Sequence, residues 1–282
     1  MVATPDVVVV GHVVQDLVPS GWRLGGAATF AAVQAQRLGL EVGVVTRVSP
    51  DVVLEQWLPG IAVAGRPSTR TTAFENVYES GRRRQQAPRQ AEPREAEDVP
   101  EAWRQAPMVL QCPVCGEVPP GLDALFPRSL LAVGAQGWLR RLDQQRRVRQ
   151  RAWAGPPFWA NSRALFVSDE DLGRRRDQLD RWTEEVPLVV LTQYRRGTRV
   201  YTDGAWRHIE ALPTREVDPT GAGDIFAVSF LVRYHETGDA AESARFASAA
   251  AACSVEAPGI EGIAARQQIE ARMEEHPEIM LR

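Results

Sequence analysis

The stretch Val217–Val232, VDPTGAGDIFAVSFLV, is the part of the sequence that decides the fold most strongly. It predicts a short loop that runs directly into an apolar helix, with Asp224 in the first helical turn. Gly221 and Gly223 allow the backbone of this loop to approach a ligand closely. The first N–H groups of a helix lack intrahelical acceptors, and the helix dipole is positive there. The loop therefore predicts an anion site.

Two interpretations of Asp224 remain open from the residues alone. A carboxylate at this place repels a resting phosphate, but it is well placed to take a proton from a hydroxyl that attacks one. The alternative is that Gly221–Gly223 form only a tight turn and that Asp224 complements the helix dipole.

The composition predicts one large α/β domain that spans residues 1–282. With 44% apolar residues the chain buries enough surface to fold without a disulfide or a metal. The formal net charge of -3 gives no general attraction to nucleic acid or to an anionic membrane. Since neither a signal peptide nor a long apolar run is present, we expect a cytoplasmic protein.

The basic residues exclude several classes of enzyme. All 33 residues counted as lysine or arginine are arginine. The absence of lysine excludes a P-loop, a protein-kinase catalytic lysine and a pyridoxal Schiff base. No GxGxxG follows the first strand, which argues against a dinucleotide-binding dehydrogenase. The basic run at residues 146–151 is interpreted as a solvated face, because acidic residues balance it overall.

Cysteine usage favours a structural interpretation. Cys112 and Cys115 form a CxxC that is compatible with a redox pair or with half of a zinc site, but a second ligand pair is missing. We expect both to be small residues that close a buried strand.

Strands and helices alternate along the chain. Val7–Val10 has the form of a buried parallel strand, and strands at residues 108–112, 129–134, 164–168 and 186–192 follow, with a helix predicted over residues 170–182. This order predicts a mostly parallel sheet with helices on both faces. Asp16 follows the first strand, near the sheet edge where such folds bind ligands. A turn or cap residue is the competing interpretation of Asp16.

Two motifs in this order resemble the signatures of the PfkB/ribokinase family of carbohydrate kinases. The first is an early strand, Asp16, and then a helix that opens with Gly25-Gly26-Ala27-Ala28-Thr29; the second is the DPTGAGD string before Ile225. The resemblance implies a ribokinase-like three-layer αβα sandwich with a mostly parallel central sheet. It also implies a small, reduced β-lid contributed by about residues 17–24 and 69–86. An exposed hairpin is the alternative for the second of these segments.

The resemblance assigns roles near the acceptor. It implies that Asp224 is the catalytic base and that the amides of Gly221, Ala222 and Gly223 form the anion hole. The substrate-binding residues that it implies are Asp16, Gly25, Gly26 and Thr29. The family usually has asparagine where this chain has Thr29, so the contact with the acceptor is expected to differ.

The resemblance also implies ATP and Mg²⁺ as cofactors. The residues expected at the nucleotide are Thr192, Gly197, Asp218, Thr220 and Gly259. Asp171 is expected to have a weak and indirect role at the metal, because the stretch from Ser168 to Asp171 matches the family pattern only in part. A serine helix cap at Ser168 followed by acidic first-turn residues is the competing interpretation.

The function that the resemblance implies is transfer of the γ-phosphoryl group of ATP to a hydroxyl of a small sugar or polyol. The run at residues 135–140, AQGWLR, is similar to the inositol-kinase-like branch, and a nucleoside kinase of the same fold is an alternative. A non-catalytic pseudokinase that binds a sugar or a nucleotide is a third hypothesis, motivated by the departures at Thr29, Ser168, Asp171 and Tyr194. We expect a small-molecule partner, no nucleic acid and no membrane, and a homodimer is left open.

Overall fold

The computed structural model describes residues 3–79 and 82–280 of the chain. Residues 80 and 81 of the turn predicted at Glu79–Gly81 lie outside the described residues. The strands are β1 Val7–Val10, β2 Val14–Val18, β3 Gly21–Gly25, β4 Val42–Val45, β5 Ala62–Ala64, β6 Ala73–Glu79, β7 Arg82–Arg89, β8 Met108–Gln111, β9 Leu130–Gly134, β10 Arg140–Leu142, β11 Val148–Gln150, β12 Ala164–Ser168, β13 Leu188–Thr192, β14 Thr198–Thr202 and β15 Ala205–Ile209. The helices are α1 Ala27–Arg37, α2 Leu54–Trp57, α3 Asp169–Leu172, α4 Arg176–Glu185, α5 Ala222–Thr237, α6 Ala240–Ser254 and α7 Arg266–Glu275.

A nine-stranded sheet forms the middle layer, in the order β15-β14-β13-β12-β9-β8-β1-β4-β5. The seven strands from β13 to β5 pair in parallel, and β14 and β15 add an antiparallel edge. The mostly parallel sheet expected from the sequence is therefore confirmed. All carboxyl ends of the parallel strands lie at one edge of the sheet, which is where open α/β folds bind ligands.

Both faces of the sheet are buried, as the valine run of β1 requires. Val7 and Val9 belong to one apolar core and Val8 and Val10 to the other, because successive side chains of a strand point to opposite faces. The first core lies under α1, α5, α6 and α7. The second core lies under α4 and several short 3₁₀ turns, and it is filled with aromatic side chains, including a parallel stack of Trp138 on Phe158 at 4.1 Å.

Helix α5 is the central helix of the first layer. It is buried nearly all round from Ile225 to Val232, since α1 and α6 flank it and the sheet lies beneath it. Gly238 ends the helix in the left-handed conformation, with its N–H bonded to the Tyr234 carbonyl at 2.8 Å. Alanine dominates α6, and these small side chains allow the two helices to pack closely.

A second sheet of four strands, in the order β3-β2-β6-β7, stands apart from the main sheet. We call it the lid sheet. A third, two-stranded hairpin of β10 and β11 contacts the lid sheet through a bridge between Gln86 and Arg147 and a hydrogen bond from the Ala87 N–H to the Arg146 carbonyl at 2.9 Å. We call it the basic hairpin.

The predicted helix over residues 170–182 is divided in two in the structure. Helix α3 ends at Leu172, and α4 begins at Arg176. Gly173 between them has a φ of 58°, which is incompatible with a continuous α-helix. Helix α3 directly follows the carboxyl end of β12, so its acidic residues, Asp169, Glu170 and Asp171, lie at that edge of the sheet.

Replacing Phe230 by alanine is expected to lower the free energy of unfolding by roughly 3–5 kcal/mol. Its side chain is 0% exposed and its ring lies 5.5 Å from that of Phe166 on the sheet, so the substitution leaves a cavity between α5 and the sheet. Urea unfolding measures the change. Val53→Ala, at a position 45% exposed, is the control and should shift stability by at most about 0.5 kcal/mol. A Phe230 variant that unfolds like this control would contradict the packing described for α5.

Candidate active site

One cavity of about 1040 Å³ lies between the lid sheet and the carboxyl ends of the parallel strands. Its walls come from the ends of β9, β12 and β13, from the start of α5, from the lid sheet and from the basic hairpin. The sequence motifs that are 190 residues apart therefore meet in one place, because the parallel topology brings all these segments to the same edge.

The loop at the start of α5 forms the floor of this cavity. Gly221 is left-handed, with a φ of 80°, and a Cβ atom added to it would lie 2.3 Å from the Phe30 ring. A side chain at this position is therefore excluded both by the backbone conformation and by the packing on α1. Gly223 is the opposite case, since a Cβ added there would meet no atom within 4 Å. It lines the cavity.

The backbone amides of this loop are available to a ligand. Ala222 N–H makes a bond of 3.3 Å to the Pro219 carbonyl, and Asp224 N–H makes one of 3.0 Å to the Gly221 carbonyl. Within the described part of the chain, the N–H groups of Gly221 and Gly223 have no acceptor. Free N–H groups at the positive end of α5 can bind an anion.

Asp224 lies beside these amides and is among the residues that line the cavity. Burial raises the pKa of its carboxyl from 3.8 to about 7; the nearby charge of Arg140 lowers this pKa and that of Asp171 raises it. A carboxyl with a pKa near 7 exchanges its proton readily at neutral pH, which suits a general base.

The expected acceptor residues occupy different places. Asp16 and Gly26 line the cavity, with Asp16 on the lid strand β2. Gly25 lies behind Asp16, and a Cβ on it would lie 1.9 Å from the Asp16 Oδ2 atom, so only glycine permits this carboxylate position. Thr29 is fully buried, and its hydroxyl donates to the Gly25 carbonyl at 2.6 Å. The structure does not bring Thr29 to the cavity wall.

The expected nucleotide residues divide in a similar way. Thr192, Gly197 and Thr220 line the cavity. Asp218 and Gly259 lie outside its wall and are joined to each other, because the Gly259 N–H donates to Asp218 Oδ2 at 3.1 Å. The other oxygen of Asp218 accepts the Thr220 N–H at 3.0 Å, so this carboxylate fixes the loop before α5.

Tyr194 is one of the departures from the family pattern. It takes a left-handed φ of 55°, which is unusual for a tyrosine, and its side chain is 63% exposed at the cavity. Its hydroxyl donates to the carboxylate of Glu216 at 2.7 Å, and the Arg195 guanidinium lies over its ring. The phenol thus bridges the end of β13 and the loop that precedes α5.

Asp171 is held by protein donors on both of its oxygens. Oδ1 pairs with the Arg140 guanidinium at 2.9 Å, and Oδ2 accepts the Ser168 hydroxyl at 2.7 Å and the Gln136 amide at 3.3 Å. Ser168 also accepts the Asp171 N–H, so it is the N-cap of α3, as the competing interpretation expected. Within the described residues no cluster of three metal-ligating side chains is present. A metal role for Asp171 stays a prediction.

Sequence reasoning missed the contribution of the basic hairpin. Arg147 and Arg149 were interpreted as a solvated face, but both line the cavity, and both pair with Asp143. The available signal was the pair of apolar residues, Leu142 and Val148, that flanks a polar turn; these two residues pair across the hairpin. Arg140 was also missed as a site residue, although it begins the same hairpin.

Two further expectations concern the cysteines and the membrane. Cys112 and Cys115 are buried and free, and burial raises the pKa of both thiols, as expected for small residues that close a strand. Over residues 3–79 and 82–280, the helices include none of the length and apolarity that a membrane span requires.

Parallel strands end at a cavity that also holds a glycine-rich helix start and a carboxyl of raised pKa, an arrangement that suits the active site of an α/β enzyme. The model of the pfkB family of carbohydrate kinases matches residues 164–264. A cytidine kinase of Thermococcus kodakarensis is 31% identical over 254 residues, which cover 81% of this chain and 88% of that protein. The chain therefore belongs to the pfkB family of carbohydrate kinases, and it is an enzyme of that type.

Other similar proteins have names that give other acceptors or donors. An inositol 3-kinase of Zea mays is 29% identical over 279 residues, which cover 89% of this chain and 73% of that protein. A solved structure of a pyrophosphate-dependent kinase in the ribokinase family superposes with a TM-score of 0.80, with 22% identity and coverage of 94% of this chain and 99% of that chain. The ribokinase-like fold is thus confirmed.

Asp224→Asn is expected to be more stable than the natural protein at pH 8 and equally stable at pH 4. In the folded protein the Asp224 carboxyl holds its proton up to about pH 7, whereas the unfolded chain loses it near pH 4, so wild-type stability falls between these values as pH rises. The asparagine never ionises and escapes this loss. The difference at pH 8 should be roughly 1–4 kcal/mol, since tenfold in proton affinity is about 1.4 kcal/mol.

Urea unfolding at the two pH values measures this difference. Equal stability of the variant and the natural protein at pH 8 would show that the Asp224 carboxylate is well solvated, in contradiction to the raised pKa of this carboxyl.

Proposed function

We propose that this kinase transfers the γ-phosphoryl group of ATP to a hydroxyl of a small polyol, sugar or nucleoside, with Asp224 as the general base. The observation that carries the proposal is that one cavity joins three features: the free amides of Gly221 and Gly223, the Asp224 carboxyl of raised pKa, and Asp16 on the lid sheet. These are an anion site, a base beside it, and a polar group that can orient a hydroxylated acceptor.

The proposed reaction is a direct displacement at phosphorus. The acceptor oxygen forms a bond to the γ-phosphorus while the bond from that phosphorus to the bridging oxygen of ATP breaks. The electron pair leaves with ADP, and the hydroxyl proton moves to Asp224. The Gly221 and Gly223 amides bind the charge on the transferring group, which is the largest electrostatic contribution that the backbone can make here.

The acceptor end of the cavity combines polar and apolar walls. Asp16 and Gln85 supply hydrogen-bonding groups, while Phe30, Phe74 and Val114 supply apolar surface. This combination suits a ring that carries hydroxyls on its edge and C–H groups on its faces, such as a cyclic polyol or a nucleoside ribose. The names of the relatives, a cytidine kinase and an inositol 3-kinase, support both classes of acceptor.

The donor end favours a nucleoside triphosphate. Beyond the glycine loop the cavity continues between small and apolar side chains of α6 and of the segment before α5, which provide room for a nucleoside: Leu212, Pro213, Ser248, Ala251, Ala252 and Val255. Inorganic pyrophosphate would leave this part of the cavity empty. It is the second candidate donor, because the solved structure with a TM-score of 0.80 is of a pyrophosphate-dependent kinase.

Mg²⁺ fits this site as an ion that enters with the phosphates of the donor. The described acidic residues form no cluster of three, and Asp171 is already engaged by Arg140, Ser168 and Gln136, so the protein offers few direct ligands. When bound, the ion would neutralise part of the phosphate charge.

Asp224→Asn is expected to lower kcat by about 10²–10⁴-fold, because the amide cannot accept the hydroxyl proton. The measurement is mass-spectrometric detection of a phosphorylated product over a panel of inositols, pentoses, hexoses and nucleosides, with Mg-ATP or pyrophosphate as donor. The matched control is Asp239→Asn. Asp239 caps α6 near the other end of α5, and asparagine caps a helix equally well, so this variant should keep full activity.

The outcomes separate the hypotheses. A variant that keeps more than about a tenth of the wild-type rate removes Asp224 from the role of base. Absence of product with the wild type, on the whole panel and with both donors, contradicts the proposed function and favours the non-catalytic binding protein.

Gly223→Ala is expected to lower kcat by about 10²-fold or more while the protein stays at least as stable as the wild type. The new methyl group meets no protein atom within 4 Å, and alanine favours the start of a helix, so folding does not suffer. The methyl group instead occupies the space in front of the anion site, where the transferring phosphoryl group would bind. Thermal unfolding and steady-state kinetics together test this, and a stable variant with wild-type kcat would place the phosphoryl group elsewhere.

A further inference from the structure

Arg140 lines the cavity, and the proposed function gives it no role. It opens strand β10 of the basic hairpin, and its side chain is only 15% exposed. It lines the same cavity as Asp224 and the glycine loop. A nearly buried cation in the wall of this cavity requires an explanation, because burying a charge is costly unless it is paired or used.

The position of Arg140 is fixed by a chain of contacts that starts in the main sheet. Its Nε atom donates to Asp171 Oδ1 at 3.0 Å, and its Nη2 atom forms an ion pair with the same oxygen at 2.9 Å. Asp171 is itself 6% exposed in its side chain and is oriented through its other oxygen by Ser168 and Gln136. Ser168 ends β12, so the guanidinium is oriented by a rigid strand end rather than by a mobile loop.

One side of the guanidinium is left for a ligand. Among the residues that the structure describes, Nη1 has one hydrogen-bond partner, Gln85 Oε1 on the lid strand β7, at the long distance of 3.5 Å. The charge of Arg140 acts on Asp224, which stands at the start of α5. The guanidinium thus contacts both Asp171 and the lid strand, in the cavity that the glycine loop also lines.

The other arginines whose side chains line the cavity have different partners. Arg147 and Arg149 pair with Asp143, at 2.9 and 3.0 Å, and Arg195 pairs with Glu216 at 3.2 Å. Arg84 lies on the lid strand and makes an interaction of its own. Since the chain contains no lysine, the positive charge for a phosphoryl group must come from arginine, from a metal ion or from backbone amides.

We propose that Arg140 contacts the transferring phosphoryl group from the side opposite the Gly221 and Gly223 amides, and that Asp171 is the positioning residue that holds it there. This inference rests on the proposed site of phosphoryl transfer, and it adds a second catalytic group to it. Through Nη1 the guanidinium donates to a phosphoryl oxygen while the bond between phosphorus and the leaving oxygen breaks. Arg140 exchanges no proton, because a guanidinium stays protonated throughout.

Kinetics of Arg140→Met and Arg140→Lys test the proposal. Methionine keeps an unbranched apolar stem and removes the charge, so kcat should fall by about 10²–10³-fold while KM for the acceptor changes little. Lysine restores the charge but not the planar fork, and it should recover only part of the rate. The matched control is Arg141→Met, at the exposed neighbouring position on β10 that does not line the cavity. It should have wild-type kinetics.

Two further readouts separate a catalytic role from a structural one. Millimolar guanidinium chloride should restore activity to Arg140→Ala, because the free cation can enter the space that the side chain vacates. Asp171→Asn should lower kcat in the same direction as Arg140→Met but by less, since the guanidinium remains but loses its fixed orientation. A rescue that also appears in the Arg141 variant or in the wild type would overturn the proposal.

Measurements of donor binding test the role of Arg140 even if no turnover is detected. Calorimetry compares the Mg²⁺ complex of a non-hydrolysable ATP analogue with that of ADP, and imidodiphosphate serves as the probe for a pyrophosphate donor. Arg140→Met should weaken the binding of the triphosphate analogue or of imidodiphosphate by about tenfold or more, and leave ADP binding unchanged.

The results distinguish a failure of the proposed function from a failure of the proposed role of Arg140. A wild type without turnover contradicts the proposed function, and the binding data then decide the role of Arg140 alone. Equal binding of the probes by the wild type and by Arg140→Met, or no binding by either, overturns the inference. A loss confined to KM for the acceptor overturns it as well, since it would place Arg140 at the acceptor.

Discussion

The start of α5 is the constraint on which the rest of the active-site architecture depends. Gly221 is left-handed and is packed against the Phe30 ring, so a side chain is excluded there, and the Gly221 and Gly223 amides have no acceptor among the residues that the structure describes. Unpaired amides at a helix start are tolerated where a cavity gives water or a ligand access to them. The buried body of α5, fixed between α1, α6 and the sheet, gives these amides a rigid support.

The second sheet and the basic hairpin complete the cavity from the other side. The lid sheet carries Asp16, and the hairpin bonded to its strand β7 carries Arg140. A displacement of the lid would therefore act on both ends of the proposed reaction, because the acceptor group and the guanidinium belong to connected elements. Asp171 opposes such a displacement by tying the guanidinium to the end of β12. In the proposed reaction, these contacts would link recognition of the acceptor to the placement of charge at the phosphoryl group.

The sequence predicted the parts of the molecule that depend on local patterns. Strand β12 has the predicted limits, since a short apolar run bounded by polar residues defines a buried strand. The glycine loop and α5 were also predictable, because the DPTGAGD string indicates a tight loop and the apolar residues after it indicate a helix. Thr29 is a position where the motif alone was insufficient. Its place in the motif implied a substrate contact, but its hydroxyl donates to the Gly25 carbonyl at the end of β3.

Features that depend on distant partners were not predictable from the sequence. The basic hairpin forms because Asp143 pairs with two of its arginines and because its turn bonds to β7, and neither contact can be inferred from charge balance. The role of Asp171 depends on Arg140, which is 31 residues away along the chain. The predicted helix over residues 170–182 is interrupted at Gly173, because the positive φ of this residue is incompatible with an α-helix, although the residues on both sides have helical periodicity.

The measurement that tests the central claim most directly is a crystal structure of the enzyme with ADP, Mg²⁺ and aluminium fluoride, a mimic of the transferring phosphoryl group, together with an acceptor identified from the panel. The account predicts that the fluoride group lies within hydrogen-bond distance of the Gly221 and Gly223 amides, that the acceptor hydroxyl lies beside the Asp224 carboxyl, and that the Arg140 guanidinium closes the opposite side. A fluoride group bound away from the start of α5, with Asp224 remote from the acceptor hydroxyl, would contradict it.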